Sequence, residues 1–233
     1  MTCASDPTPA AAYRAVMFDL DGTLADTLRD LSEAGNAMCA AFDRPPQPMD
    51  RYRHLVGQGA PWLAQHTLDL PDGDPRIPAA ADYFRKILLA GGHAHSEPYP
   101  QIPALLDELA RRDLTLAVLS NKPHDLTVDL VRRLFGETRF ARVRGHRDGT
   151  APKPDPAAGL EIARELGIAP AQWIFVGDTR VDMLTGRNQG MRAVGVTWGF
   201  RAEQELRDSG AHHIIHEPMA LLQALDTHAG LVT

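Results

Sequence analysis

The chain has 233 residues, 44% of them hydrophobic, and a formal net charge of −6. That is enough for one large domain, or for a main domain with a smaller one, each with a real core. No block of lysine or arginine occurs, which argues against a nucleic-acid or anionic-membrane partner, and no apolar run approaches membrane-spanning length.

Residues 1–12 lack the basic and apolar regions of a secretory signal and read as a short disordered tail. Cys3 and Cys39 lie far apart with no metal-ligand spacing, so free thiols in a reducing compartment are expected. The expected address is the cytoplasm. An apolar run over 15–18 reads as a buried strand, and it ends in Asp19-Leu20-Asp21-Gly22-Thr23. Alternate residues of an extended chain share a face, so Asp19 and Asp21 point into the same space. Two like charges that close need a cation or a shared proton. Gly22 permits a sharp turn. Residues 27–42 read as a helix, with Leu28, Leu31, Met38 and Phe42 at helical spacing and Asp26 or Thr27 as its cap. Pro45, Pro46 and Pro48 break the chain, and short helices follow over 49–55, 62–68 and 78–89. A glycine loop, Val56-Gly57-Gln58-Gly59, separates the first two. Tyr13 and Trp62 read as packing residues. No strand is expected from 25 to 97.

After the Gly91-Gly92 break the rhythm changes. Helices are expected over 102–112, 126–135, 156–166 and 183–189, and strands over 114–119, 140–144, 173–176, 193–197 and 213–215. Alternation of this kind means crossover units and a parallel sheet. The predicted fold is α/β, a Rossmann-like, mostly parallel sheet core over 14–25 and 98–228. A small α-helical cap domain over 26–97 is inserted after the first strand.

In such sheets ligands sit beyond the carboxyl ends of the strands. There the first strand offers Asp19 and Asp21, the second Ser120-Asn121-Lys122-Pro123, and the 173–176 strand Gly177-Asp178-Thr179-Arg180-Val181-Asp182. Lys153 lies between the last two. Singly these are ordinary turn residues, helix caps and a loop cation. Together they are the set phosphoryl transfer needs. Asp19, Asp21 and Asp178 can supply the protein share of a Mg²⁺ site, and Ser120 and Lys153 can bind phosphate oxygens. One carboxylate can attack phosphorus, and the second acid can serve the leaving oxygen and then water. No P-loop is present. His212, His213 and His216 fit a strand with opposed neighbours rather than a transition-metal site.

These motifs resemble the haloacid dehalogenase-like hydrolases, in their phosphatase branch. Asp19 to Thr23 is similar to that family's first motif, Ser120 to its second, Lys153 to its third, and Gly177-Asp178-Thr179 with Asp182 to its fourth. The resemblance implies Asp19 as nucleophile and metal ligand, and Asp21 as acid/base whose backbone carbonyl also reaches Mg²⁺. It implies Asp178 as a further ligand, and Asp182 as a ligand through water or an orienting acid. Thr23, Ser120 and Asn121 would hold phosphate, with Lys153 bridging it and the nucleophile, and Lys122 is expected to lie past the site. Val56-Gly57-Gln58-Gly59, Pro98-Tyr99-Pro100, Ser120-Asn121-Lys122-Pro123 and Trp198-Gly199-Phe200-Arg201 resemble the phosphoglycolate phosphatases within the family. That resemblance implies a small phosphorylated metabolite, 2-phosphoglycolate, acted on by a monomer or homodimer. The cap would need a positive or amide group for the substrate's carboxylate, and Arg53, His54 and Gln58 are the candidates. A sugar-phosphate mutase or pyrophosphatase of the same fold is the alternative. A catalytically silent binding protein is another, though it would not need the full set.

Overall fold

The computed structural model describes residues 13–91 and 93–226. The tail over 1–12, Cys3 and Gly92 therefore lie outside the described residues, as do 227 and 228. The chain begins with β1 (Ala15–Phe18) and β2 (Ala25–Asp26), then α1 (Leu28–Ala41), α2 (Met49–Leu55), α3 (Ala60–Thr67) and α4 (Ile77–Gly91). β3 (Glu97–Pro98), α5 (Ile102–Arg111), β4 (Thr115–Pro123), α6 (His124–Phe135), β5 (Arg142–His146) and α7 (Ala157–Glu165) follow. The last part holds β6 (Trp173–Gly177), α8 (Arg180–Asn188), β7 (Arg192–Val196), α9 (Glu203–Asp208), β8 (His213–Ile215) and α10 (Leu221–Asp226).

Six strands form one parallel sheet in the order β5-β4-β1-β6-β7-β8. Its central strands are apolar at every position because both faces are covered. Val16, Phe18, Leu116, Val118, Ile174 and Val176 pack on one side. Ala15, Met17, Ala117, Leu119, Trp173 and Phe175 pack on the other. From β1 the chain moves to β4 and β5 on one side, then returns to β6 on the other. The crevice of an open α/β sheet lies where the strand order reverses in this way, so β1 delivers Asp19 into it.

Two short strands were not expected. β2 and β3 pair antiparallel at the limits of the region read as strand-free, and the Tyr99 amide donates to the Leu24 carbonyl. At two residues each they are too short to show a period. Helices α1 to α4 lie between them and share a second apolar cluster, which Leu126 and Phe200 join from outside. Trp62 packs against this cluster and stacks on His66, and Tyr13 packs against the sheet cluster. Cys39 is a buried free thiol. Helix α9 was also unexpected. No helix among the described residues is long and apolar enough to cross a membrane.

In α1, Gly35 faces the ring of Tyr52, which is fully buried and whose hydroxyl donates to Asn36 Oδ1 at 3.0 Å. A Cβ on Gly35 would lie 2.3 Å from Tyr52 Cε1, whereas one on Gly91 would meet nothing. Gly35→Ala should therefore cost about 1–3 kcal/mol through overpacking, read as a lowered thermal midpoint. Gly91→Ala should leave the midpoint unchanged or raise it slightly.

Candidate active site

The site grows out of the turn that ends β1. The Asp19 amide continues the ladder by donating to the Val176 carbonyl. The chain then folds tightly back, with the amides of Thr23, Leu24 and Ala25 all directed at the Leu20 carbonyl. Gly22 takes φ +86°, and a Cβ there would sit 2.4 Å from Asp178 Oδ2. Only glycine lets the first motif and the β6 acid approach this closely.

Asp19, Asp21, Ser120, Lys153, Asp178 and Asp182 are all buried at this edge of the sheet. Lys153 Nζ lies 2.8 Å from Asp19 Oδ1 and 2.7 Å from Asp182 Oδ1, with the Phe175 ring 5.4 Å beneath it. Burial works against a charged Lys153, but the adjacent Asp182 and Asp19 carboxylates outweigh it and hold its pKa above the ordinary lysine value. Burial pushes Asp19 up to about 7, although Lys153 opposes the rise. Burial, then the nearby Asp182 and Asp19, also hold Asp178 well above the usual carboxylate range.

Asp178 is fixed from two sides. The Thr23 hydroxyl donates to its Oδ1 at 3.0 Å and the Phe200 amide to its Oδ2 at 2.8 Å. Thr23 thus orients an acid in this structure. Trp198 Nε1 in turn donates to the Thr23 carbonyl at 3.0 Å. Both oxygens of Asp182 are engaged, one by Lys153 and the other by the Thr179 amide and hydroxyl at the start of α8. Asn121 spends its side chain on backbone. It donates to the carbonyls of Gly57 and Lys153 and accepts from the Lys153 amide at 2.7 Å.

Lys122 is a correction to the sequence reading. It does not lie past the site. β4 runs on to Pro123 with a register shift after Leu119, and Lys122 Nζ stands buried 3.0 Å from Asp21 Oδ1. Irregularities of this sort re-aim side chains. Arg53 is held at the loop beside Asp178, where a Cβ on Gly199 would lie 2.4 Å from the Asp178 Cβ. Arg53 pairs with Asp50 and reaches the Gly199 carbonyl, and Gln58 is exposed. His54 is exposed too. His212 Nδ1 accepts from the Ala193 amide, and His216 faces Thr197, so these histidines do not converge.

Asp19, Asp178 and Asp182 place carboxylate oxygens within 4.8 Å of one another. With Asp21 they make four buried carboxylates against two buried ammonium groups. Were all four ionised, two negative charges would lack a partner; burial and this crowding instead raise Asp19 and Asp178, and a hard divalent cation with oxygen ligands would let them ionise.

A family model for the haloacid dehalogenase-like hydrolases matches residues 16–196. The chain is a haloacid dehalogenase-like hydrolase. This hydrolase is 33% identical over 224 residues to phosphoglycolate phosphatase 1 of Pseudomonas aeruginosa, covering 94% of this chain and 82% of that one. It is also 33% identical over 215 residues to the N-acetylmuramic acid 6-phosphate phosphatase of the same organism, covering 91% and 95%. A provisionally named phosphoglycolate phosphatase from Lactobacillus delbrueckii subsp. bulgaricus superposes with a TM-score of 0.86 at 26% identity, covering 92% of this chain and 99% of that one. The hydrolase is accordingly a phosphoric monoester phosphatase.

A carboxyl with a raised folded pKa binds its proton more tightly when folded. The metal-free hydrolase should therefore lose stability as pH rises from about 4 to about 7, the interval between the ordinary and shifted Asp19 values, and level off above it. A divalent cation bound by these acids should flatten that slope, and its binding below pH 7 should release protons. Thermal melts with EDTA or Mg²⁺, and calorimetry in buffers of different ionisation enthalpy, check both outcomes.

Proposed function

We propose that the hydrolase depends on Mg²⁺, works through an aspartyl-phosphate on Asp19, and acts on 2-phosphoglycolate. The observation that carries the metal and the mechanism is the crowding of four buried carboxylates against two ammonium groups, which holds Asp19 and Asp178 above the ordinary carboxylate range. Asp19, Asp178 and the Asp21 carbonyl would hold the cation, with Asp182 as an orienting acid. When bound, it would draw charge from the phosphoryl oxygens.

The residues divide the work. Asp19 forms a bond to phosphorus as the ester oxygen departs. Lys153 and the Ser120 hydroxyl steady the phosphoryl oxygens. Asp21 gives its proton to the leaving oxygen, then takes one from the water that breaks the Asp19–phosphoryl bond. Asp182 and Phe175 hold Lys153 in line.

Between the acids and α1 to α4 lies a half-open cavity walled mostly by apolar side chains. Two relatives of equal identity act on substrates of very different bulk by name, and further similar proteins named phosphoglycolate phosphatase support the smaller.

Asp19→Asn should lower turnover by about a thousandfold or more and abolish trapped phosphoenzyme while circular dichroism stays native. EDTA should remove activity and Mg²⁺ restore it. In a screen of phosphorylated metabolites 2-phosphoglycolate should rank first, and a preference for N-acetylmuramic acid 6-phosphate would overturn the substrate assignment.

A further inference from the structure

The chamber beside Asp19 and Asp21 is lopsided. Its far wall is Leu31, Leu55, Val56, Leu63, Phe84 and Leu88, contributed by α1 to α4 and the glycine loop. Among the described residues, the charged side chains that line it are Asp19, Asp21 and Lys122. Lys122 is thus its one cation. The side chain is 2% exposed, and its Nζ lies 3.0 Å and 3.4 Å from the two oxygens of Asp21. An ammonium group has three donors in a tripod, so one donor is left over once both Asp21 oxygens are served.

The position of that donor is informative. Asp21 serves the ester oxygen, so an ammonium group on Asp21 stands beside whatever follows that oxygen. In a phosphorylated 2-hydroxy acid, the carboxylate follows one carbon later. Among the described residues, the side chains of the opposite wall, Leu31, Leu55, Val56, Leu63, Phe84 and Leu88, carry no group to pair with a hydroxyl, and a buried hydroxyl without a partner is costly.

We propose that Lys122 is the receptor for the substrate's carboxylate, and that the apolar wall limits the leaving group to short 2-hydroxy acids bearing alkyl groups rather than further hydroxyls. This rests on the phosphatase and 2-phosphoglycolate reading above. It assigns specificity to the end of β4 instead of to Arg53, His54 or Gln58.

Steady-state phosphate release tests it with four probes: 2-phosphoglycolate, ethyl phosphate, 2-phospholactate and 2-phosphoglycerate. Ethyl phosphate lacks the carboxylate. The last two differ by one hydroxyl. In Lys122→Met the ratio of kcat/KM for 2-phosphoglycolate over ethyl phosphate should fall by at least about thirtyfold, mainly through KM, as expected when a buried charge partner is removed. Lys122→Arg should keep most of the preference. The unaltered enzyme should favour 2-phospholactate over 2-phosphoglycerate by about tenfold or more.

Equal losses on both esters in Lys122→Met would overturn the receptor role while leaving the phosphatase reading intact. So would a preference for 2-phosphoglycerate in the unaltered enzyme. Should Lys122→Met not fold, Lys122→Gln supplies the neutral variant, and the last pair of probes still decides on the unaltered enzyme. If the unaltered enzyme cleaves ethyl phosphate as well as 2-phosphoglycolate, the substrate reading fails and this proposal with it.

Discussion

An excess of buried negative charge at the end of β1 is the constraint on which the rest of the structure turns. Ionised carboxylates are costly to bury unless partnered. Here Asp19, Asp21, Asp178 and Asp182 share one small volume, and the fold brings two lysines from separate strand ends to meet them. Lys153 spans Asp19 and Asp182, while Lys122 takes Asp21. What they leave unbalanced keeps Asp19 and Asp178 above the ordinary carboxylate range. The same crowding is what would make a divalent cation and a phosphate ester welcome together.

Holding such a set needs a rigid surround. Asp178 is held by a hydroxyl from the β1 turn and an amide from the loop after β7. Asp182 is at once a cap of α8 and a partner of Lys153, so the start of a helix and the aim of a lysine are one arrangement. Gly22 and Gly199 leave Asp178 its space, since a Cβ on either would lie within 2.5 Å of its Oδ2. Packing, capping and charge thus bear on the same few atoms.

Much of this was legible in the sequence. Continuous apolar runs gave away strands buried on both faces, and acids at the ends of two of them marked the edge where chemistry gathers. What stayed hidden has physical reasons. β2 and β3 are shorter than any period. The register shift in β4 leaves no trace in composition, so Lys122, two residues beyond Ser120, read as part of the exit turn. Thr23 and Asn121 are implied by the resemblance to hold phosphate, and their contacts within the chain are not readable from residue type. Only the fold shows that their partners are Asp178 and backbone.

Asn121 gives the last consequence. One amide group joins the Gly57 carbonyl, from the loop over the site, to both backbone groups of Lys153 beneath it. The loop cannot lift away without surrendering a bond to the residue that also sets the lysine segment. The cover of this site and the setting of its lysine segment are therefore one arrangement.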